Sequence, residues 1–305
     1  MKDNRFYPQV ELMLSILSDV MAESCFALKG GTAINLFVRD MPRLSVDIDL
    51  TYLPLRGRDE SLEGISNALE RIASRIVRHR PATEIHKSFA PGGRRIVKLV
   101  VSQPGAHVKV EPNTILRGTV FPCQEAQLCA AACQEFRLDA QVRTVSLPDL
   151  YGGKICAALD RQHPRDFFDV MLLLANEGLT DAIRSAFVIY LASHNRPMAE
   201  LLSPRLADFR RVFDDEFAGM TAIPVSHDQL CEARDALIKA VNSSLTMAER
   251  RFLLSIKDGE PEWDLICGAQ FAEMPAIQWK LANIRKMSSA KRRAARAKLA
   301  QILGI

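Results

Sequence analysis

The stretch Arg43-Leu44-Ser45-Val46-Asp47-Ile48-Asp49-Leu50-Thr51 decides how the N-terminal half of this chain is read. From Ser45 to Thr51, polar and apolar side chains alternate with a period of two, the pattern of a β-strand with one buried face. Val46, Ile48 and Leu50 form that face, and Asp47 and Asp49, at i and i+2, point together to the other. Two adjacent carboxylates repel, and on an apolar strand that cost is usually tolerated for a cation. Asp-x-Asp alone also occurs in surface loops; the apolar flanks make a loop the poorer reading here.

Upstream, Cys25-Phe26-Ala27-Leu28 is a short apolar strand, stopped at Gly30-Gly31, and Thr32 to Val38 restarts as a helix with Thr32 at its N-cap. Glycines between a strand and a helix let the backbone approach a ligand, and the helix start offers free N–H groups to an anion. Gly-Gly by itself fits a bare turn better. Before this unit, Val10, Met13, Ile16, Leu17 and Val20 predict an amphipathic helix over 9–24. After it come a helix over 59–79 and strands over 84–89, 94–102 and 107–111. The last two form a hairpin about Gln103-Pro104-Gly105-Ala106. Lys109-Val110-Glu111 alternates on the last strand, so Glu111 is either a third acid beside the Asp pair or half of an exposed cross-strand ion pair.

Past about residue 145 strand signals cease and a succession of helices follows, broken near Pro164, Gly178, Pro197, Pro224 and Gly259. Two domains are expected: a mixed α/β domain over 1–145 and a helical domain over 146–305. Near the boundary Ser146-Leu147-Pro148-Asp149 has capping-box spacing. Lys154 and Arg161, seven residues apart, share a helix face suited to phosphate. Asp166 and Asp169 lie one turn apart at a helix start, where acids are commonly dipole partners.

The chain has 305 residues, 48% hydrophobic and 25% charged, which excludes collagen, low-complexity disorder and small disulfide scaffolds. No apolar run approaches the ~20 residues of a membrane helix. The seven cysteines form no CxxC pair, as expected of reduced packing cysteines in a cytoplasmic protein. The net charge of +4 is unevenly placed. Residues 274–305 carry eight of the 40 bases (among them Lys280, Lys291, Arg292, Arg293, Arg296 and Lys298) and none of the 36 acids, leaving the rest at −4. A basic end on an acidic body suits a polyanion such as RNA, or is simply a solvated helix over 290–303.

Taken together, the motifs are sharper than each alone. The strand, Gly-Gly-Thr, helix and Asp-x-Asp resemble the polymerase-β-like nucleotidyltransferases. Lys29-Gly30-Gly31-Thr32-Ala33, Ser45-x-Asp47-Ile48-Asp49-Leu50, and Lys154 through Ala158-Leu159, Arg161, Arg165-Asp166 and Asp169 look like the AbiEii/AbiGii toxins of type IV toxin–antitoxin and abortive-infection systems, MenT nucleotidyltransferases included. Pro261-Glu262-Trp263-Asp264 and Trp279-Lys280-Leu281-Ala282-Asn283 are similar to that family's helical half; residues 180–255 add nothing specific. The resemblance implies an α+β fold: a polymerase-β-like core with a mixed sheet, then an all-helical domain closing a cleft. It implies two Mg²⁺ on Asp47, Asp49 and Glu111, with an NTP as substrate. Gly30, Gly31 and Thr32, with Ser45 and Lys109, fall on the nucleotide, Lys154 and Arg161 on the triphosphate charge, and Asp166 on Lys154 or the acceptor. The implied acceptor is RNA, at the tRNA 3′ end, and the implied protein partner is a cognate antitoxin. Thr32 stands where the wider superfamily has Ser, which keeps a hydroxyl for phosphate. A small-molecule or protein acceptor, or a nucleotide-binding module without turnover, are the alternative readings.

Overall fold

The computed structural model describes residues 4–305. The chain divides into two units: Met1–Ser146 with Phe217–Pro224, and Leu147–Glu216 with Val225–Ile305. The return of Phe217–Pro224 to the first unit has no counterpart in the sequence reading. There Arg43 bridges Thr221, and Leu44 N–H donates to the Met220 carbonyl at 2.8 Å.

The first unit runs α1 (Tyr7–Met21), β1 (Phe26–Lys29), α2 (Gly30–Ala33, continued by a π-helical turn Ile34–Val38), β2 (Ile48–Tyr52), α3 (Arg58–His79), β3 (Glu84–Phe89), β4 (Ile96–Gln103), β5 (Ala106–Asn113), β6 (Gln124–Gln127), α4 (Ala130–Phe136) and β7 (Gln141–Thr144). The strands form one mixed sheet in the order β3-β4-β5-β2-β1-β7-β6, with β2/β5 and β1/β7 parallel and the other neighbours antiparallel. One sheet face carries Leu28, Ile48, Leu50, Leu99, Val101, Val108 and Val110, all buried, with α1 packed on β5 and β1 and α3 on β4. Two buried acids, Asp19 on α1 and Glu23 just after it, join this segment to α3: Glu23 is held by Arg71 at 2.6 Å and by Arg75, and Asp19 by His79 and Arg80, both at 2.6 Å.

Three expectations shift. The Asp strand begins at Ile48 rather than Ser45, because the backbone before it is hydrogen-bonded to groups outside the sheet. Short β6 and β7 have no signature in the sequence, since Gln124–Gln127 and Gln141–Thr144 have too few apolar positions to show alternation. The hairpin strand β5 extends two residues past Glu111.

The second unit is helical: α5 (Leu147–Arg161), α6 (Pro164–Ala175), α7 (Asp181–Ser193), α8 (Met198–Leu202), α9 (Arg210–Val212), α10 (His227–Ser244), α11 (Met247–Asp258), α12 (Pro275–Arg285) and α13 (Ser289–Leu303). Helices α5 and α7 pack closely at Gly152, where a Cβ would lie 2.8 Å from the Phe187 backbone nitrogen. In the basic tail, α13 buries Leu299 and Leu303 and leaves Lys291, Arg293 and Lys298 exposed.

Lys280 departs from the picture of a solvated tail. It is buried, and its ammonium donates to the carbonyls of His194 and Arg196 at the C-terminal end of α7. Burial, with nearby Lys257, pushes its pKa down to about 8 from 10.5. Between those values the unfolded chain binds more protons than the folded one, so stability from this residue rises with pH across that window. Lys280→Ala is therefore expected to destabilise the protein by about 1–3 kcal/mol at pH 7.5, with a deficit that widens toward pH 10. Urea melts of both proteins at the two pH values check this; equal midpoints would return Lys280 to the solvated tail.

Candidate active site

The register across the sheet assembles the site. Asp49 on β2 faces Lys29 on β1 and Glu111 on β5, and Thr51 faces Asn113 one step further on. Directly opposed residues project to the same face, so Lys29, Asp49 and Glu111 form one row on the face opposite the buried core. The hairpin pairs Leu99 with Val110, and its next step sets Lys98 beside Glu111, with Nζ 3.7 Å from Oε2. Lys29 and Lys98 thus flank the two acids of the row. Sequence reading assigns neither lysine a role, although the hairpin turn already fixes the Lys98 position.

The Gly-Gly turn meets this row. Gly30 has φ +71°, and a Cβ on it would collide with Asp49 Oδ2. Any L-residue there is strained and also presses on the carboxylate. At Gly31 a Cβ would lie 2.6 Å from Nη2 of the buried Arg43 and 3.1 Å from Ser45 Oγ. The two glycines let the start of α2 lie directly against the Asp strand.

Thr32 and Ser45 have a different task from the one expected. Thr32 Oγ1 is buried 2.5 Å from the Asp47 carbonyl and 2.9 Å from Ser45 Oγ. A carbonyl only accepts, so the single Thr32 proton goes to Asp47 and Ser45 donates to Thr32. The hydroxyl expected to meet phosphate instead fixes the backbone that carries Asp47. This bond also explains the late start of β2.

In the second unit, Lys154 and Arg161 do share a face, but both turn onto acids. Lys154 Nζ lies 2.8 Å from Asp166 Oδ1 and 2.9 Å from Asp169 Oδ2, with its side chain only 5% exposed. Arg161 reaches Asp166 through Nε at 2.5 Å and Nη2 at 2.9 Å, while 59% exposed. Burial alone would raise the Asp166 pKa; the Lys154 and Arg161 charges overcome it and hold the carboxyl well below the usual carboxylate range. Asp166 is thus the hub of an ion network rather than an N-terminal dipole partner.

The acids of the first unit offer hard oxygen donors of the kind Mg²⁺ takes. Among the described residues, however, no three His, Cys, Asp or Glu side chains converge tightly enough to hold a metal ion by themselves. Mg²⁺ commonly uses one or two carboxylates with water and substrate phosphates completing its shell. The donor set fits that mode and not an all-protein cage.

Among solved structures, the chain is similar to MenT4, nucleotidyltransferase toxin Rv2826c from Mycobacterium tuberculosis H37Rv. That match has 15% identity, covers 90% of this chain and 92% of that one, and has a TM-score of 0.57, which shows a shared fold. JHP933 from Helicobacter pylori is 16% identical over 77% of this chain and 94% of that one, with a TM-score of 0.42, too low to carry an argument. A comparison with curated protein sequences gives no match. The family model described as nucleotidyl transferase AbiEii toxin, type IV TA system, matches residues 11–283. With that match spanning both units, the chain belongs to the AbiEii nucleotidyltransferase toxin family of type IV toxin–antitoxin systems.

Proposed function

We propose that the protein transfers a nucleoside monophosphate from an NTP to RNA, at the 3′ end of tRNA, in a Mg²⁺-dependent reaction. Membership of the family already implies an NTP substrate and an antitoxin partner. The observation that carries the reading is the opposition of Asp49 and Glu111 in one sheet row, with Gly30 at the start of α2 pressed against Asp49.

In this reading Asp47, Asp49 and Glu111 hold the Mg²⁺, which when bound withdraws charge from the α-phosphoryl group and makes the acceptor hydroxyl more acidic. Gly30 and Gly31 let the triphosphate approach the backbone N–H groups at the start of α2. Thr32 and Ser45 keep Asp47 at a fixed position, so the carboxylates need little reorganisation during transfer. Lys109, one step along β5 from the acid row, supplies positive charge to the nucleotide. Lys154 and Arg161 are the cations of the helical unit for the triphosphate, and the ion network makes Asp166 the residue that positions them. Where tRNA is the acceptor, the toxin acts in the cytoplasm; among the described residues no helix is long and apolar enough to cross a membrane.

The test is incubation of purified protein with each α-labelled NTP, Mg²⁺ and total RNA. Label on RNA is the expected result. Label on a protein or small molecule, with none on RNA, would replace the acceptor class.

The basic helix α13 supports an RNA acceptor. Lys291, Arg293 and Lys298 are exposed and make no ion pair among the described residues, whereas Arg296 Nε lies 2.8 Å from Asp258. Replacing Lys291, Arg293 and Lys298 with Gln should weaken RNA binding and lower the slope of log K against log salt by about 2–3, at ~0.7–0.9 per phosphate contact. NTP affinity should not change. Superimposable salt series for the two proteins would make α13 a solvated cap.

A further inference from the structure

We infer that Lys98 is a positioning residue for Glu111, holding the third carboxylate away from Asp47 and Asp49 and so keeping the affinity of the site for a free divalent cation low. The inference rests on the carboxylate metal site proposed above.

The contact between Lys98 and Glu111 follows from the backbone. The β4–β5 hairpin turns on Pro104-Gly105 with Gln103 paired to Ala106, and counting back from there sets Lys98 against Glu111. Lys98 is also fixed on its other side, where it pairs with Ser88 of β3. Its Nζ lies 3.7 Å from Glu111 Oε2, with Lys98 28% and Glu111 49% exposed. On the far side of Glu111 the register places Asp49, so the Glu111 carboxylate lies between a cation and another acid. Like charge repels it from Asp49 and opposite charge draws it toward Lys98. That preference accounts for Asp49 and Glu111, adjacent by register, forming no three-acid metal cluster among the described residues.

A dication entering beside Asp49 competes with Lys98 for Glu111, and it must also bear the repulsion of a lysine close by. An NTP changes this balance, since its phosphates bring negative charge of their own and complete the metal shell. Lys98 thereby favours loading of the metal together with nucleotide over loading of the metal alone. A lysine that merely braces the sheet would have no such effect on metal affinity.

The experiment measures Mn²⁺ binding, by electron paramagnetic resonance and without nucleotide, to the full chain and to Lys98→Met, Lys98→Gln, Lys98→Arg and Asp49→Asn, with thermal melts confirming that each is folded. Removing the lysine charge should tighten Mn²⁺ binding by about three- to tenfold, the size expected for one unit charge a few ångströms away near the surface. Lys98→Arg should stay near wild type, and Asp49→Asn should lose binding. Equal or weaker Mn²⁺ affinity in the folded Lys98→Met or Lys98→Gln protein, with Asp49→Asn still defective, overturns the role of Lys98 alone. Binding unaffected by Asp49→Asn, or no binding by any folded variant, overturns the metal-site reading beneath it.

Discussion

Asp49→Asn is expected to reduce nucleotidyl transfer by on the order of a thousandfold or more, while unfolding within about 1 kcal/mol of wild type. The two halves of this result have separate causes. Asp49 is the acid at the centre of the site, opposed by Lys29 and Glu111 in the register and overlain by the Gly30 turn. In the proposed reading, loss of its charge removes an oxygen ligand that no neighbouring residue of the row replaces. Its side chain is only half-buried, on the face opposite the core, so the substitution opens no cavity and eases repulsion with Glu111. Asp47→Asn should behave alike, since its backbone stays fixed by Thr32. The measurement is label transfer in excess Mg²⁺ beside a thermal melt. Near-normal transfer by either variant would remove these carboxylates from the chemistry.

The second large effect is on stability. Lys154→Met should lower the unfolding free energy by about 3–5 kcal/mol, because it withdraws the cation that bridges two fully buried carboxylates. Arg161→Met should cost much less, as that side chain is more than half exposed and leaves the Lys154 contacts in place. Urea unfolding of the three proteins tests the ranking. If Lys154→Met unfolds at the wild-type midpoint and loses only turnover, then Lys154 is a substrate contact that the network does not need. Activity lost by Lys154 variants has to be read beside such a melt, because a partly unfolded protein also fails to turn over.

Several of these residues are legible in the sequence, and the reason is local. Alternation through Ile48, Asp49 and Leu50 reports which side of a strand is buried, so it places Asp49 on the polar side, while Asp47 lies just before the strand begins. Gly30 followed by Gly31 marks a backbone that tolerates no Cβ, and Pro104-Gly105 marks the hairpin turn. Each signal needs only a few consecutive residues. The hairpin even holds the pairing of Lys98 with Glu111, for anyone counting back from its turn, because antiparallel register is fixed once the turn is known.

What those polar groups touch is a matter of the folded chain. Period-two patterning extends the strand back to Ser45, but the Thr32 hydroxyl takes the Asp47 carbonyl, and Leu44 donates to Met220, nearly 180 residues away in the chain. Lys154 reads as a phosphate-facing cation and Lys280 as part of a basic tail, because burying an ammonium is costly unless acceptors are already in place. For Lys154 the acceptors are Asp166 and Asp169 on α6, and for Lys280 they are carbonyls at the end of α7. Chain order alone specifies the strand and helix periods, the turns, and which acids share a face. The partners of those acids and lysines are settled only when distant segments meet, because a charge's surroundings depend on neighbours that chain order does not reveal.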